Sequence, residues 1–252
     1  MSRITNRGAT APLAVQANGV FQTSTDTSLK TLAGSRWDLS DGREVVLVYN
    51  SSAGAIAAGK LTQSPAIVAN HQNLAVTAFQ AYSNNGNTPA KVTVTLGATA
   101  ATANQYAGGY LIVNDNNGEG QTLKIASHPA ADSSGSLAVT LEDGPNVAIT
   151  TASEVCLSAL PYYDIVICPT TLTGKPVGVT LYALPVSSYG YVQTRGPVAC
   201  LNDATSAIGL DLMPSSNTAG AVMNYVVATA SRVGSSTQAG VTTEYRLIDI
   251  QL

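Results

Sequence analysis

The chain has 252 residues, of which 45% are hydrophobic and only 11% charged, with a formal net charge of -3. That balance argues against a nucleic-acid partner held by a basic face, and the apolar share argues against a disordered chain. Two His, three Cys, one Trp and two Phe leave little material for metal or acid–base chemistry.

Residues 1–42 show neither a strand nor a helix period and are expected to form an extended N-terminal arm, with one short helix near Ser28–Ala33. The opening MSRITNRGATAPLAV carries Arg3 and Arg7 with no apolar run behind them. No stretch approaches the roughly 20 apolar residues of a membrane span, so neither a signal peptide nor a membrane anchor is expected. From Arg43 onward the chain reads as strands and turns. Glu44–Tyr49 (EVVLVY), Ala57–Gln63 and Leu74–Ala81 come first. Lys91–Leu96 (KVTVTL) then alternates cleanly, with Val92, Val94 and Leu96 on the inner side. Tyr110–Val113 and Gln121–Ala126 flank the turn-rich string NDNNGEG and predict a hairpin. Leu137–Leu141 alternates again. An internal echo runs through this stretch: KVTVTL is followed by GGYLIV, and SLAVTL by SEVCLS, as if one β unit were used twice in one sheet system. Ala98–Tyr106 predicts one or two helical turns. Beyond Pro161, short strands recur between glycines and prolines: Val177–Leu184, Gly190–Thr194, Pro197–Leu201, Ile208–Leu212, Ala221–Ala228, Arg232–Gly234 and Glu244–Leu252. The expected fold is all-β, an extended N-terminal arm followed by β-sandwich or small β-barrel modules with little helix. The expected division is an arm at 1–42, a β-rich domain with hairpins at 43–160, and a small barrel-like domain at 161–252.

Candidate chemistry is sparse. Cys156, Cys168 and Cys200 fit no C-x-x-C spacing and each lies in an apolar run, which suits small buried hydrophobes in a reducing compartment; a disulfide between two of them stays open. His71 and His128 have no local partner and are expected on the surface or in turns. No G-x-S-x-G elbow, P-loop or dinucleotide fingerprint occurs. Asp115–Gly120 (DNNGEG) resembles the start of a calcium loop, but position 12 of such a loop would be Ala126 rather than a bidentate Glu. A hairpin turn that uses Asn and Gly at positive φ explains the same letters. Five tyrosines, Tyr162, Tyr163, Tyr182, Tyr189 and Tyr191, could form a sugar- or protein-binding face; core and interface packing is the simpler reading. No catalytic, cofactor-binding or metal-ligating residue is assigned, and no cofactor.

Several strings carry a resemblance. From Tyr106, YAGGYLIVNDNNGEGQTLKIASHP looks like a segment common in structural proteins of tailed bacteriophages. GKPVGVTLYALPVSSYGYVQTRGPVACLND resembles the barrel segment of phage capsid decoration (cement) proteins, in which a strand, a turn ending in G-Y/W-V-Q and a strand of type G-P-x-A build a small barrel. IGLDLMPSSNTAGAV, SRVGS and TEYRLIDIQL resemble its closing strands, and AAGKLTQSPAIVANH its early part. The likeness covers most of residues 43–252 and does not extend to the arm. It implies a non-enzymatic virion protein on the outer surface of the capsid, present in the host cytoplasm during assembly. It would stabilise the head as a homo-oligomer, a trimer, bound between subunits of the major capsid protein. Nucleic acid, membrane and small-molecule substrate are not expected partners. Within that reading Arg3, Arg7, Arg36 and Trp37 are the candidate capsid or subunit contacts, as basic and aromatic anchors of an arm. The alternative from another class is a receptor- or glycan-binding spike or fibre module, supported by the tyrosines.

Overall fold

The computed structural model describes residues 23–83, 88–226 and 231–252. Contacts divide the chain into two compact units, Met1–Pro65 with Pro161–Leu252, and Ala66–Leu160. Strands β1 (Arg36–Asp38), β2 (Glu44–Tyr49) and β3 (Leu61–Gln63) precede the inserted unit. The insert holds β4 (Leu74–Gln80), β5 (Lys91–Thr95), β6 (Tyr110–Asp115), β7 (Thr122–Ser127), β8 (Ser136–Leu141) and β9 (Glu154–Ser158). The chain then returns through β10 (Val166–Ile167), β11 (Pro176–Thr180), β12 (Tyr189–Leu201) and β13 (Asp211–Pro214). It ends in β14 (Val222–Asn224), β15 (Gly234–Ser236) and β16 (Tyr245–Gln251). The only helical elements among the described residues are two 3-10 turns, Thr27–Leu32 and Ala69–His71. No helix there is long and apolar enough to cross a membrane.

The inserted unit is a closed barrel in the order β4-β5-β8-β7-β6-β9, with β9 returning to pair with β4. Alternation builds it: Val92 and Val94 point inward from β5, Leu123 and Ile125 from β7, Leu137 and Val139 from β8, Val155 and Leu157 from β9. These side chains form one core, each contributing about 1.5–3 kcal/mol when fully buried. The register shifts between Val76 and Ala78, Val113 and Asp115, and Ile125 and Ser127. Such bulges bend strands and increase their twist, which a small barrel needs to close. The sequence echo maps onto direct partners: β5 pairs with β8 (Val92 opposite Val139), and β6 pairs with β9 (Leu111 opposite Leu157). The β6–β7 connection is a hairpin turn, with positive φ at Asn116, Gly118 and Gly120. Ala98–Tyr106, expected to be helical, makes successive turns instead. Its Gln105 N–H reaches the Thr102 carbonyl and the Ala107 N–H reaches that of Asn104, and neither bond propagates. An alanine-rich stretch this short does not cover the cost of helix nucleation.

The other unit is a ten-stranded sheet in the order β10-β3-β11-β12-β16-β15-β13-β14, with β2 on β12 and β1 on β2. Two expectations are corrected here. The barrel that closes fully is built by residues 74–158, whereas 161–252 joins a curled ten-stranded sheet. The boundary expected at 43 also moves: β2 pairs with β12 and β3 with β11, so both belong with the C-terminal strands. Gly190–Thr194 and Pro197–Leu201, expected as two strands, form the single 13-residue β12. It pairs with β2 over Tyr189–Arg195 and with β16 over Arg195–Leu201. Because β12 is central, β2 is buried on both faces. Val45 and Leu47 join a core with Leu29, Trp37, Leu39, Tyr189 and Tyr191, while Val46 and Val48 join another with Ile165, Val177 and Val192.

Of the expected arm, residues 23–42 are docked rather than extended. Ser24 exchanges two backbone hydrogen bonds with Tyr189, at 3.0 and 2.7 Å. Asp26 caps the first 3-10 turn by accepting from the Ser28 N–H at 2.9 Å. Leu29, Trp37 and Leu39 are buried. Three large apolar side chains at irregular spacing have no period to betray them, yet each finds the same core.

Candidate contact surface

Arg3 and Arg7 lie outside the described residues. Arg36 and Trp37 are neighbours on β1, and the period of two in a strand sends them to opposite faces. Arg36 points outward. It donates to Glu44 and, at 2.8 Å, to the Tyr162 hydroxyl, with its guanidinium 5.9 Å from the Tyr162 ring centre. Glu44 also accepts from the Thr194 hydroxyl at 2.8 Å. Trp37 points inward and is only 2% exposed. Its ring meets Tyr191 edge-on, centroids 5.4 Å apart. Trp37 is therefore a core residue of this fold and presents no anchor to a partner.

The tyrosines are mostly packing columns. Tyr189 and Tyr191 are buried. Tyr49 stacks on Tyr163 at 4.5 Å and leans on Tyr189 at 4.7 Å, with Lys30 Nζ 4.4 Å above Tyr163. The Tyr182 hydroxyl accepts the Tyr191 N–H at 3.1 Å, and burial pushes its phenol up to about 12. The histidines, expected at the surface, are both buried. His71 Nε2 faces the Thr99 carbonyl at 2.9 Å and so carries the proton, which leaves Nδ1 to accept from the Tyr106 hydroxyl. Burial pushes the Tyr106 phenol up to about 12, so the hydroxyl remains the donor. His128 is wired the other way: Nδ1 donates to the Pro129 carbonyl at 2.8 Å and Nε2 accepts the Tyr106 N–H at 2.9 Å. One tyrosine thus ties both imidazoles to the barrel wall.

All three cysteines are free. Burial pushes the thiols of Cys168 and Cys200 up to about 12, so both are neutral hydrophobes near pH 7. Among the described residues, no three His, Cys, Asp or Glu side chains gather as metal ligands.

The surface that strand reading missed lies on the outer face of β12 and β16. Ala199 stands opposite Leu247, Leu201 opposite Tyr245, and Pro197 opposite Asp249. On β16 the odd positions face outward, which leaves Tyr245 52% and Leu247 38% exposed while Ile248 and Ile250 are in the core. Beside this strip runs an open groove of about 450 Å³, lined by Ala57, Ala58, Gly59, Leu181, Ala199 and Tyr245 among others. Lys60 Nζ, 6.0 Å from the Tyr245 ring centre, supplies a cation at its margin. A signal for this face was present in YRLIDIQL, a strand with apolar residues at both parities, one more set than a single core requires.

These observations define a two-unit all-β protein whose aromatic, histidine and cysteine side chains chiefly serve packing, with an apolar strip left on one sheet. Comparison with protein-family models, curated proteins and solved structures found no match.

Proposed function

We propose that this chain is a non-enzymatic structural protein of a bacteriophage virion, a capsid decoration (cement) protein. It binds the outside of the head between subunits of the major capsid protein and stabilises it. The observation that carries the reading is the exposed strip Pro197–Ala199–Tyr245–Leu247 with its neighbouring groove. A contiguous apolar surface of this kind is characteristic of a protein contact. Its side chains are small or aromatic and mostly uncharged, which suits a broad, flat interface with an aromatic anchor. The resemblance of Gly174–Asp203 to the decoration-protein barrel segment supports the same reading, and β12, within that segment, contributes half of the strip.

A packed head strains outward at the joints between its capsomers. A protein that touches several subunits adds contacts that must break together, and a cyclic trimer makes weak single contacts strong as a set. The glycan-binding alternative is weaker, because Tyr189 and Tyr191 are used inside the core.

The test is co-sedimentation with bare expanded heads. Wild-type protein should decorate them, and Leu247→Glu and Ala199→Glu should each lower occupancy at least about tenfold, the equivalent of about 1.4 kcal/mol, with unchanged circular dichroism. An arm contribution from Arg3 and Arg7 is read by deleting residues 1–22 only, since a longer cut would remove Ser24 and Leu29 from the fold. Binding to host cells but not to heads, or decoration indifferent to both glutamates, would overturn the proposal.

A further inference from the structure

Arg246 lies on the inner face of β16 and is 4% exposed. Its Nη1 donates to the Ser206 hydroxyl and, at 3.1 Å, to the Ser236 hydroxyl. Its Nε and Nη2 are buried and have no hydrogen-bond partner. Those two nitrogens form one edge of the guanidinium, the parallel fork that matches the two oxygens of a carboxylate.

Among the described residues, none pairs an opposite charge with it. The two serines contribute lone pairs only. Ser236 Oγ gives its own proton to the Gln238 carbonyl at 2.7 Å, and Ser206 Oγ lies 3.0 Å from that of Ala204. Asn202, alongside, directs Nδ2 to the carbonyls of Ala204 and Val241. Cys200, directly across on β12, is a neutral thiol because burial pushes it up to about 12. All fifteen Asp and Glu fall among the described residues, where arginine ion pairs involve Glu44, Asp41 and Asp211. The terminal carboxylate of Leu252 is six strand positions away, roughly 20 Å.

A charge removed from water without a counter-ion is among the most costly groups a fold can hold. We propose that the Nε/Nη2 fork of Arg246 is a carboxylate-binding site, in which one carboxylate completes the two missing hydrogen bonds and neutralises the guanidinium. Gly240 packs against the arginine, a Cβ there meeting Arg246 Cδ at 2.7 Å, and it is tied to the opposite loop by two backbone bonds with Ser206, at 3.1 and 3.2 Å. Opening that pair admits the ligand. The site is independent of the apolar strip and of the proposed function. The carboxylate is either a small free acid or an acidic group of a second copy of this chain.

The test uses the full chain labelled with nitrogen-15. The Nε–H signal of Arg246 is identified by its loss in Arg246→Lys; if that variant does not fold, Ser236→Ala, which removes one Nη1 acceptor, displaces the same signal. Sodium formate is titrated against sodium chloride at constant ionic strength. A saturable shift of this signal with formate, at a midpoint in the millimolar range, supports a free acid. A shift that instead follows protein concentration without formate, and reverses on dilution, supports the second copy. A signal unmoved by tenth-molar formate and by protein concentration overturns the proposal, as does one that chloride moves equally far.

Discussion

The barrel of β4–β9 and the ten-stranded sheet bury their polar groups differently. The barrel's fully buried polar side chains are His71, His128 and Ser153, whereas the sheet unit buries Asn50, Thr62, Gln63, Thr180, Gln193, Thr194, Asn202 and Arg246 among others. A closed barrel pairs its strands all the way round, so side chains need only fill the interior. The larger sheet has connections whose bends leave carbonyls off the strand ladders, and side chains reach them. Asn50 does so three times, its Nδ2 lying 2.9, 3.2 and 2.9 Å from the carbonyls of Gly54, Leu184 and Pro185. One unit rests on side-chain volume, the other on volume plus directed hydrogen bonds.

The contrast is tested most strongly in the barrel core. Leu111→Ala removes a fully buried side chain from a single apolar cluster and should cost about 2–5 kcal/mol, read as a lower urea midpoint by far-ultraviolet circular dichroism. Backbone crowding comes next, and both units share it. A Cβ at Gly109 would sit 2.2 Å from the Ser158 carbonyl oxygen, and one at Gly234 2.0 Å from that of Asp249. Since strand backbone yields little, Gly109→Ala and Gly234→Ala should each cost about 1–3 kcal/mol or more.

Polar deletions should then separate the units. Asn50→Ala removes the side-chain donor from the Gly54 and Pro185 carbonyls, while that of Leu184 keeps the Ile56 N–H, and Tyr106→Phe leaves His71 Nδ1 without its donor; each should cost about 1–3 kcal/mol. Trp37, the chain's one tryptophan, lies in the sheet unit, so its fluorescence reads the Asn50 variant directly. Arg36→Ala should be the mildest change, at most about 1 kcal/mol and smaller in high salt, because the pair with Glu44 is 43% exposed on the arginine side. Finally, native protein treated with iodoacetamide near pH 8 should take up label at Cys156 at most, and at all three cysteines in urea. Rapid native labelling of Cys168 or Cys200 would show that the sheet core opens far more readily than its packing implies.

Legibility followed the same division. In the barrel, each strand has an inside and an outside, so KVTVTL, SLAVTL and EVCLS announced both their conformation and their buried residues. In the sheet, β2 is covered on both faces and β12 bends between two sets of partners; alternation is lost, and one long strand looked like two. The proposed contact residues divided for a related reason. Arg36 and Trp37 are adjacent letters that the pleat sends to opposite sides, and nothing local states which side is the core. Tyr245 and Leu247 carried a legible hint, an excess of apolar residues on one strand, but only the pairing of β16 with β12 places Ala199 and Pro197 beside them.

The all-β character, most strands, the turn at Asp115–Gly120 and the packing role of most tyrosines were determined by the sequence itself. All of these depend on neighbours a few residues apart, through the two-residue strand period and the tolerance of Asn and Gly for positive φ. Barrel closure, the union of Met1–Pro65 with Pro161–Leu252, the buried histidines, the outer strip and the fork of Arg246 were decided only by tertiary structure. Each depends on which distant segment lies opposite, and residues more than a hundred positions apart leave no periodic trace of their pairing.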